Sequence, residues 1–425
     1  MQLNKVILRL TKFLSRYGRY YFLGSLLLAI SCLPVWQSQE EVSAELVSQY
    51  NPYEQQFIEA LEDTLQYLID DSRVPGVGIA VVKDSTPLLV KGYGIRSVKQ
   101  PDSVDIHTVF RLASVSKGFA SGLAATLVRD TLLHWNDPVV QYLPSFALVS
   151  PEQTQAVTVK HVLSHTTGLP YHAYTNLVEA NKERDDMIAL LSEIDLIGEA
   201  GRWYSYQNVA YGIIEPVVEV AAIETAKVES FQTLMENRIF KPLQMNDASV
   251  WYNDMMEVDN KAVPHLPSRR GWYTTPISKN YYNVPSAGGV NASPLDMAQW
   301  LMALLGNRPD VLPTEVLDSL FSPQIKTPIE NRYFSRWKQL EGAYYGLGWR
   351  IVHQAGDTIA FHGGYAYGYR TAIALDRNKK IGICILANGS SSLVSRVVPI
   401  FLDLYRKYED DIKAWEVQVN EEVAD

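Results

Sequence analysis

Two sets of β-rich runs stand far apart in this chain, with a long helical stretch between them. Gly76–Val82 (GVGIAVV) and Pro87–Val90 (PLLV) flank Lys83–Thr86, the pattern of a hairpin. Gly348–His353 (GWRIVH), Thr358–Phe361, Thr371–Leu375 and Ile381–Ala387 lie near the other end, separated by turn residues. A lone hairpin is marginal in water, so strands this short need a shared sheet. Strands from both ends can join in one lobe around a single insertion, which predicts an α+β fold with a discontinuous α/β lobe. Helical spacing of Phe57, Ala60, Leu61, Leu65, Leu68 and Ile69 places a helix over Tyr53–Asp71. A second starts at Ser293-Pro294-Leu295-Asp296, with a capping serine and proline at the first helical position. A third runs from Leu393 to about Ile412. The expected organisation is 53–113 with 280–415 as the α/β lobe, 114–279 as the helical lobe, and 416–425 as a tail.

The chain has 425 residues, 47% hydrophobic and 20% charged, which is a globular composition. A net charge of -9 excludes a general nucleic-acid binder, whose phosphate contacts need a basic surface. Cys32 and Cys384 are too few for a disulfide framework or a thiolate zinc site. Lys5, Arg9, Lys12, Arg16 and Arg19 precede an apolar run from Tyr20 to Trp36, and the first acid is Glu40. Residues 1–36 therefore read as an export signal or membrane anchor, with 37–52 as a polar linker and an extracytoplasmic domain beyond. The run is at the short limit for a bilayer span. Leu27–Cys32 resembles a lipoprotein signal, although Ala29 stands where Leu is usual. Signal, lipoprotein and retained anchor all remain open.

Ser-x-x-Lys occurs at Ser114–Lys117 and again at Ser335–Lys338. On a helix the two residues share a face, and a desolvated, neutral lysine amine can take the serine proton. Ser114 follows apolar Val109–Leu112 and opens a helix rich in small residues, where backbone N–H groups can stabilise an oxyanion. Ser335 stands in a charged, aromatic stretch that reads as a surface loop. Tyr-x-Asn occurs at Tyr174, Tyr206 and Tyr281. The Tyr206–Asn208 copy runs straight into an apolar helix over Val209–Ala222. A phenol held beside an ammonium there can ionise below its usual pKa of about 10, and the Asn208 amide can hold a substrate carbonyl. His362-Gly363-Gly364 ends a strand, where glycines admit an extended substrate and an edge can pair with it. His161 and His165 have zinc-ligand spacing but no glutamate base between them, so hydrogen-bonded buried histidines fit better than a metal. No cofactor or metal is called for.

In this order Ser114-x-x-Lys117, Tyr206-x-Asn208 and His362-x-Gly364 resemble the three motifs of the serine β-lactamase and penicillin-binding-protein superfamily. The class C β-lactamase-related branch, with its DD-carboxypeptidases and family VIII esterases, is most similar. Val162–Pro170, Ser286–Val290 and Tyr345–Trp349 look like segments of that branch. The resemblance spans about 55–405. It implies an antiparallel sheet flanked by helices, an inserted all-helical lobe, and an active site between them. By it, Ser114 is the acylated nucleophile, Lys117 its proton partner and Tyr206 the general base. Asn208, His362, Gly363 and Gly364 bind substrate, and the backbone N–H groups of Ser114 and Tyr365 form the oxyanion hole.

The branch's β-lactamases carry Lys-Thr-Gly where this chain has His-Gly-Gly. A histidine is mostly neutral at pH 7 and holds a carboxylate less well than lysine. Peptidase or esterase activity on a small-molecule or peptide acyl donor is therefore expected ahead of efficient antibiotic hydrolysis. Trp272, Tyr273, Tyr281 and Tyr282 either wall an apolar cleft or belong to the core. The alternatives are a non-catalytic binding module with the same fold and, further off, a metallohydrolase. Oligomeric state has no signature in the sequence.

Overall fold

The computed structural model describes residues 51–223, 229–329 and 332–424. The export segment, Cys32 and most of the linker lie outside them. The described residues fall into two compact units: the described parts of Met1–Phe57 and Tyr408–Asp425, and Ile58–Lys407. In the first, the Asn51 amide donates to the Ile412 carbonyl at 3.2 Å, and the Phe57 and Tyr408 rings meet at 6.2 Å.

The larger unit is built on a nine-stranded antiparallel sheet. Its strands are β1 (Gly76–Lys83), β2 (Thr86–Ser97), β3 (Gln100–Ser103), β4 (Ile325–Lys326), β5 (Leu340–Tyr345), β6 (Arg350–Gln354), β7 (Asp357–Ala366), β8 (Tyr369–Asp376) and β9 (Ile381–Ala387). They lie in the order β3-β2-β1-β9-β8-β7-β6-β5-β4. The strands from the two ends of the chain meet where β1 pairs with β9, from Val77↔Ala387 to Lys83↔Ile381. Both are buried along almost their whole length, which is why each reads as an unbroken apolar run rather than an alternating one. Asn388 reinforces the seam. Its Oδ1 accepts from the Gly76 N–H at 2.8 Å, and its Nδ2 donates to the carbonyls of Ile95 (3.1 Å) and Arg96 (3.0 Å).

The main helices are α1 (Pro52–Ser72), α2 (Ser116–Arg129), α3 (Ile214–Ala221), α4 (Pro294–Met302) and α5 (Leu393–Ala424); α4 packs on β1, β2 and β9, and α3 packs on α2. Among the described residues, the lobe inserted between the strand sets carries a series of helices from Ser116–Arg129 to Tyr252–Glu257. α2 is buried from Ser116 to Leu127. Its small residues let large rings come close: a Cβ on Gly118 would sit 2.6 Å from the Trp349 ring, and one on Gly122 2.7 Å from Trp300. Trp300, from α4, stacks on Phe119 at 4.3 Å.

The structure departs from the sequence pattern in several places, the short edge strands β3 and β4 among them. The helix expected over Val209–Ala222 is two pieces, Asn208–Tyr211 and α3, because Pro216 lacks an N–H and is tolerated only in a first turn. β5 was not expected, since Glu341 and Gly342 break its apolar pattern, and pairing with β6 sets it instead. A ribbon of His265–Ser268 with Gly271–Thr274 stands where helix was anticipated. α5 continues through 416–424, set apart above as a tail, because strong helix formers carry it past the end of its apolar periodicity.

Trp300 has no solvent exposure and fills the space over Gly122. Trp300→Ala should lower unfolding stability by about 3–5 kcal/mol, read from the urea midpoint at constant m-value.

Candidate active site

Ser114 sits at a sharp strand-to-helix turn. Phe110–Arg111 pairs with Asn291–Ala292, and the chain then turns through Ala113, whose φ of 50° is in the left-handed region unusual for a side-chain-bearing residue. A 3₁₀ turn over Ala113–Val115 leads into α2. Ser114 thus belongs to the first turn of the helical run, where N–H groups lack acceptors within the helix. The Thr371 hydroxyl donates to the Leu112 carbonyl at 2.8 Å and ties this turn to β8.

Lys117, one turn further on, is fully buried. Its amine donates to Asn208 Oδ1 and to the Ala287 carbonyl, both at 2.9 Å, and lies 4.7 Å from the Tyr206 ring centroid. Burial, and then the charge of Arg350, push the amine well below its ordinary pKa. A neutral amine has two N–H bonds and one lone pair. Two carbonyl acceptors occupy the N–H bonds, which leaves the lone pair to accept a proton.

The Tyr206 phenol hydrogen-bonds with Ser114, but its pKa runs opposite to expectation. Burial drives it well above the ordinary tyrosine value and Tyr333 adds to this, while Ser114 and Arg350 oppose it. The phenol's own desolvation outweighs the acidifying effects of Ser114 and Arg350, and the same burial lowers the pKa of the Lys117 amine. Tyr206 therefore holds its proton more tightly, and Lys117 less tightly, than the free side chains do. Asn208 is drawn inward: its Oδ1 accepts from Lys117, and its Nδ2 is 3.4 Å from the Tyr281 hydroxyl.

His362 lies within β7 and has no solvent exposure. Nδ1 meets the Gly363 carbonyl at 2.9 Å, so it carries the proton, and Nε2 accepts from the Tyr345 hydroxyl at 3.1 Å. Burial, with Arg350 and Lys117 nearby, holds its pKa well below the ordinary value. Both ring nitrogens are engaged inside the protein, so His362 does not face a substrate as a cation.

An open strand edge lies alongside. β6 pairs with β7 only from Gln354↔Asp357 to Arg350↔Phe361. Among the described residues, His362–Ala366 has β8 on one side and no strand on the other. The Tyr333 hydroxyl donates to the Gly363 carbonyl at 3.3 Å, so that carbonyl points away from β8. In an antiparallel strand both backbone groups of every second residue share an edge, so the Tyr365 N–H and C=O also face the opening. Gly364 must be glycine, because a Cβ would collide with the Leu112 carbonyl and the Thr371 hydroxyl. A cavity of about 510 Å³ lies between β7, β8 and the start of α5, bordered by Tyr333, Gly363, Gly364, Ala372, Val394 and Val398; Ser114, Lys117, Tyr206 and Asn208 do not line it.

Arg350 was not singled out from the sequence. It is the first residue of β6, at the end of the open edge, and is 5% exposed. Its guanidinium lies 4.4 Å from the Tyr333 ring centroid and 5.7 Å from those of Tyr206 and Tyr345. Among the described residues no carboxylate pairs with it, and its Nε has no hydrogen-bond partner. The available signal was an arginine inside an apolar strand run, GWRIVH.

Other candidates fall elsewhere. Ser335 and Lys338 are exposed, Ser335 in a turn. His161 Nδ1 accepts from the Thr158 N–H as part of a helix cap, and His165 Nδ1 accepts from the Gln207 N–H at 3.2 Å. Tyr174 precedes a short helix in a left-handed conformation. Of the aromatics before Ser286, Tyr273 is exposed, whereas Tyr282 donates to Asn291 Oδ1 at 2.6 Å and Tyr281 reaches Asn208.

Residues 57–404 match the family described as Beta-lactamase. The chain is 26% identical over 353 residues to the unguisins hydrolase ungD' of Aspergillus campestris, covering 80% of this chain and 63% of that protein. It is 25% identical over 356 residues to protein flp of Staphylococcus aureus strain N315, covering 82% and 66%. It thus spans a little under two thirds of the length of these relatives. Among solved structures, it superposes on the octameric penicillin-binding protein homologue of Pyrococcus abyssi with a TM-score of 0.70 at 22% identity, over 81% of this chain and 77% of that one. The penicillin-binding protein of Bacillus halodurans gives 0.64 at 22%, over 79% and 98%. The sheet closed from both ends, the inserted helical lobe and the matched residues agree: the chain belongs to the beta-lactamase family, within the serine β-lactamase and penicillin-binding-protein superfamily, with a fold that matches its class C-related serine hydrolases.

Proposed function

We propose that this chain is a serine hydrolase that forms an acyl-enzyme on Ser114. The observation that carries this reading is the fully buried Lys117 amine, which donates to Asn208 and Ala287 and whose pKa burial pushes well below its ordinary value. The Lys117 lone pair accepts the Ser114 proton as Oγ bonds to the substrate carbonyl carbon. The N–H groups of Ser114 and Tyr365 hold the oxyanion that develops. Collapse breaks the bond to the leaving amine or alcohol, which takes the Tyr206 proton, and the phenolate is refilled from Lys117. Water or a second nucleophile then releases the acyl group. The hydrolase name of the fungal relative supports hydrolysis.

We further propose that the preferred donors end in a carboxylate, with D-Ala-D-Ala-type peptides ahead of small esters. Arg350 supplies the fixed cation that His362 does not. It stays charged, has no carboxylate among the described residues, and lies at the end of the open edge of β7. An extended peptide pairing with Gly363 and Tyr365 would place its terminus near that cation. Residues 1–36 would export or anchor the domain. Fractionation of cells expressing chains with and without that segment checks this, and a soluble cytoplasmic full-length chain would refute it.

Intact-mass measurement should find one penicillin or fluorophosphonate adduct per chain, absent from folded Ser114→Ala; an undiminished adduct in that variant would reject the assignment. Because the reactive form of Lys117 is deprotonated, kcat/KM should fall as pH drops through a pKa well below 10.5 and be sustained above it. Lys117→Arg should lower acylation by about 10²–10⁴-fold; a flat acid side with near-normal Lys117→Arg would remove lysine from the mechanism. Arg350→Gln should reduce kcat/KM by about 10–100-fold for a peptide with a free terminal carboxylate, from the strength of a charged hydrogen bond. The same peptide with an amidated terminus should change little, and equal losses on both would refute carboxylate recognition.

A further inference from the structure

Glu215 is 1% exposed, and its hydrogen bonds converge on one turn. Its Oε1 accepts from both the backbone N–H (2.9 Å) and the hydroxyl (2.5 Å) of Ser286. Ser286 belongs to the turn Pro285–Gly288, itself buried throughout. The next residue, Ala287, supplies the carbonyl that accepts from the Lys117 amine at 2.9 Å. We infer that Glu215 is a positioning residue for Lys117: by holding Ser286 it keeps the Ala287 carbonyl at the amine and so sets where the lone pair points. The inference rests on the reading of Lys117 as the base at Ser114.

A purely structural ion pair does not account for this arrangement. Arg184, the cation nearest Glu215, bonds to Glu219 at 3.2 and 3.4 Å and to Asp185 at 2.9 Å, and reaches Glu215 only at 3.4 Å. The short contacts of Glu215 go to Ser286, not to the arginine. Burying a carboxylate is costly, and removing its partners more so, so a buried acid with two donors from one residue marks a place where geometry is enforced. The environment agrees. Burial raises the carboxyl to about 7 and Glu219 adds to this, while Arg184 and the Ser286 bonds oppose it. The acid stands in the first turn of α3, just after the Tyr206–Asn208 segment, so one short stretch supplies Asn208 to the amine directly and Glu215 to it through Ser286.

The test follows Ser114 acylation by a fluorescent penicillin, by intact mass, in the wild-type chain and in Glu215→Ala, Glu215→Gln and Ser286→Ala. The 13Cε resonance of Lys117 is recorded in parallel. Glu215→Ala should acylate about 10–100-fold more slowly, the effect of a small misplacement of a reacting group, with the half-saturating concentration within about 3-fold. Glu215→Gln, which keeps an acceptor for the Ser286 N–H, should stay within about 3-fold of wild type on the same scale. Wild-type rates in Glu215→Ala, a loss in Glu215→Gln as large as in Glu215→Ala, or a loss confined to half-saturation overturns the inference. If Glu215→Ala does not fold, Ser286→Ala decides: slowed acylation supports positioning and an unchanged rate overturns it. If the wild-type chain itself forms no adduct, the functional reading has failed, and the Lys117 resonance still decides the positioning. A shift in Glu215→Ala that Glu215→Gln restores supports it, and an unmoved resonance overturns it.

Discussion

Among the described residues no carboxylate pairs with the buried Lys117, and the rest of the cleft is arranged around the consequence. Burial penalises the ammonium and the nearby Arg350 guanidinium repels it, so the amine gives up its charge more readily than a free lysine does. Once neutral, the amine needs acceptors for its N–H bonds rather than an anion. Asn208 and the Ala287 carbonyl are such acceptors. The same burial governs Tyr206: its desolvation outweighs the pull of the Arg350 guanidinium, and the phenol keeps its proton. A carboxylate touching Lys117 would restore the ammonium and remove the lone pair. The acid nearest by connectivity, Glu215, is held one residue away behind Ser286.

That cleft exists because the chain returns to its beginning. The seam between β1 and β9 joins Gly76 to Asn388, 312 positions apart, and lets β8 lie against the turn that carries Ser114. Without a sheet shared by both ends, β7 would have no fixed distance from α2, and its open edge would not face the serine. The two close approaches, Gly364 under Leu112 and Gly118 against Trp349, are each available only to glycine. They mark where the two parts of the chain are pressed together.

Much of this was legible in the sequence, and what was not has identifiable physical causes. The runs at 76–83 and 381–387 announce themselves because strands buried on both faces must be apolar throughout. Ser114 with Lys117 stood out from Ser335 with Lys338 through small neighbours against charged ones, and the folded chain separates them in the same sense, one pair inside and the other exposed. Ionisation states were out of reach. That the phenol is raised rather than lowered depends on how completely the phenol itself is desolvated, which is a property of packing. Arg350 and Glu215 were hidden for a related reason. A charged residue inside an apolar run looks like an exposed face until the fold shows it enclosed, and Ser286 was visible only as part of a small-residue motif.

The division between His362 and Arg350 follows from where charge can be sustained. At the centre of β7, with Lys117 and Arg350 close by, a protonated imidazole would add a further cation to an enclosed space, so the ring stays neutral and is tied to Gly363 and Tyr345. At the end of β6 the surroundings differ: three tyrosine faces lie within 5.7 Å of the guanidinium and stabilise it electrostatically without neutralising it. A carboxylate partner would satisfy the arginine and close it to any incoming anion, whereas aromatic rings keep the charge in place and still available. The histidine therefore shapes the strand on which an acyl chain can lie, and the cation that bears on its terminus is displaced to the neighbouring strand.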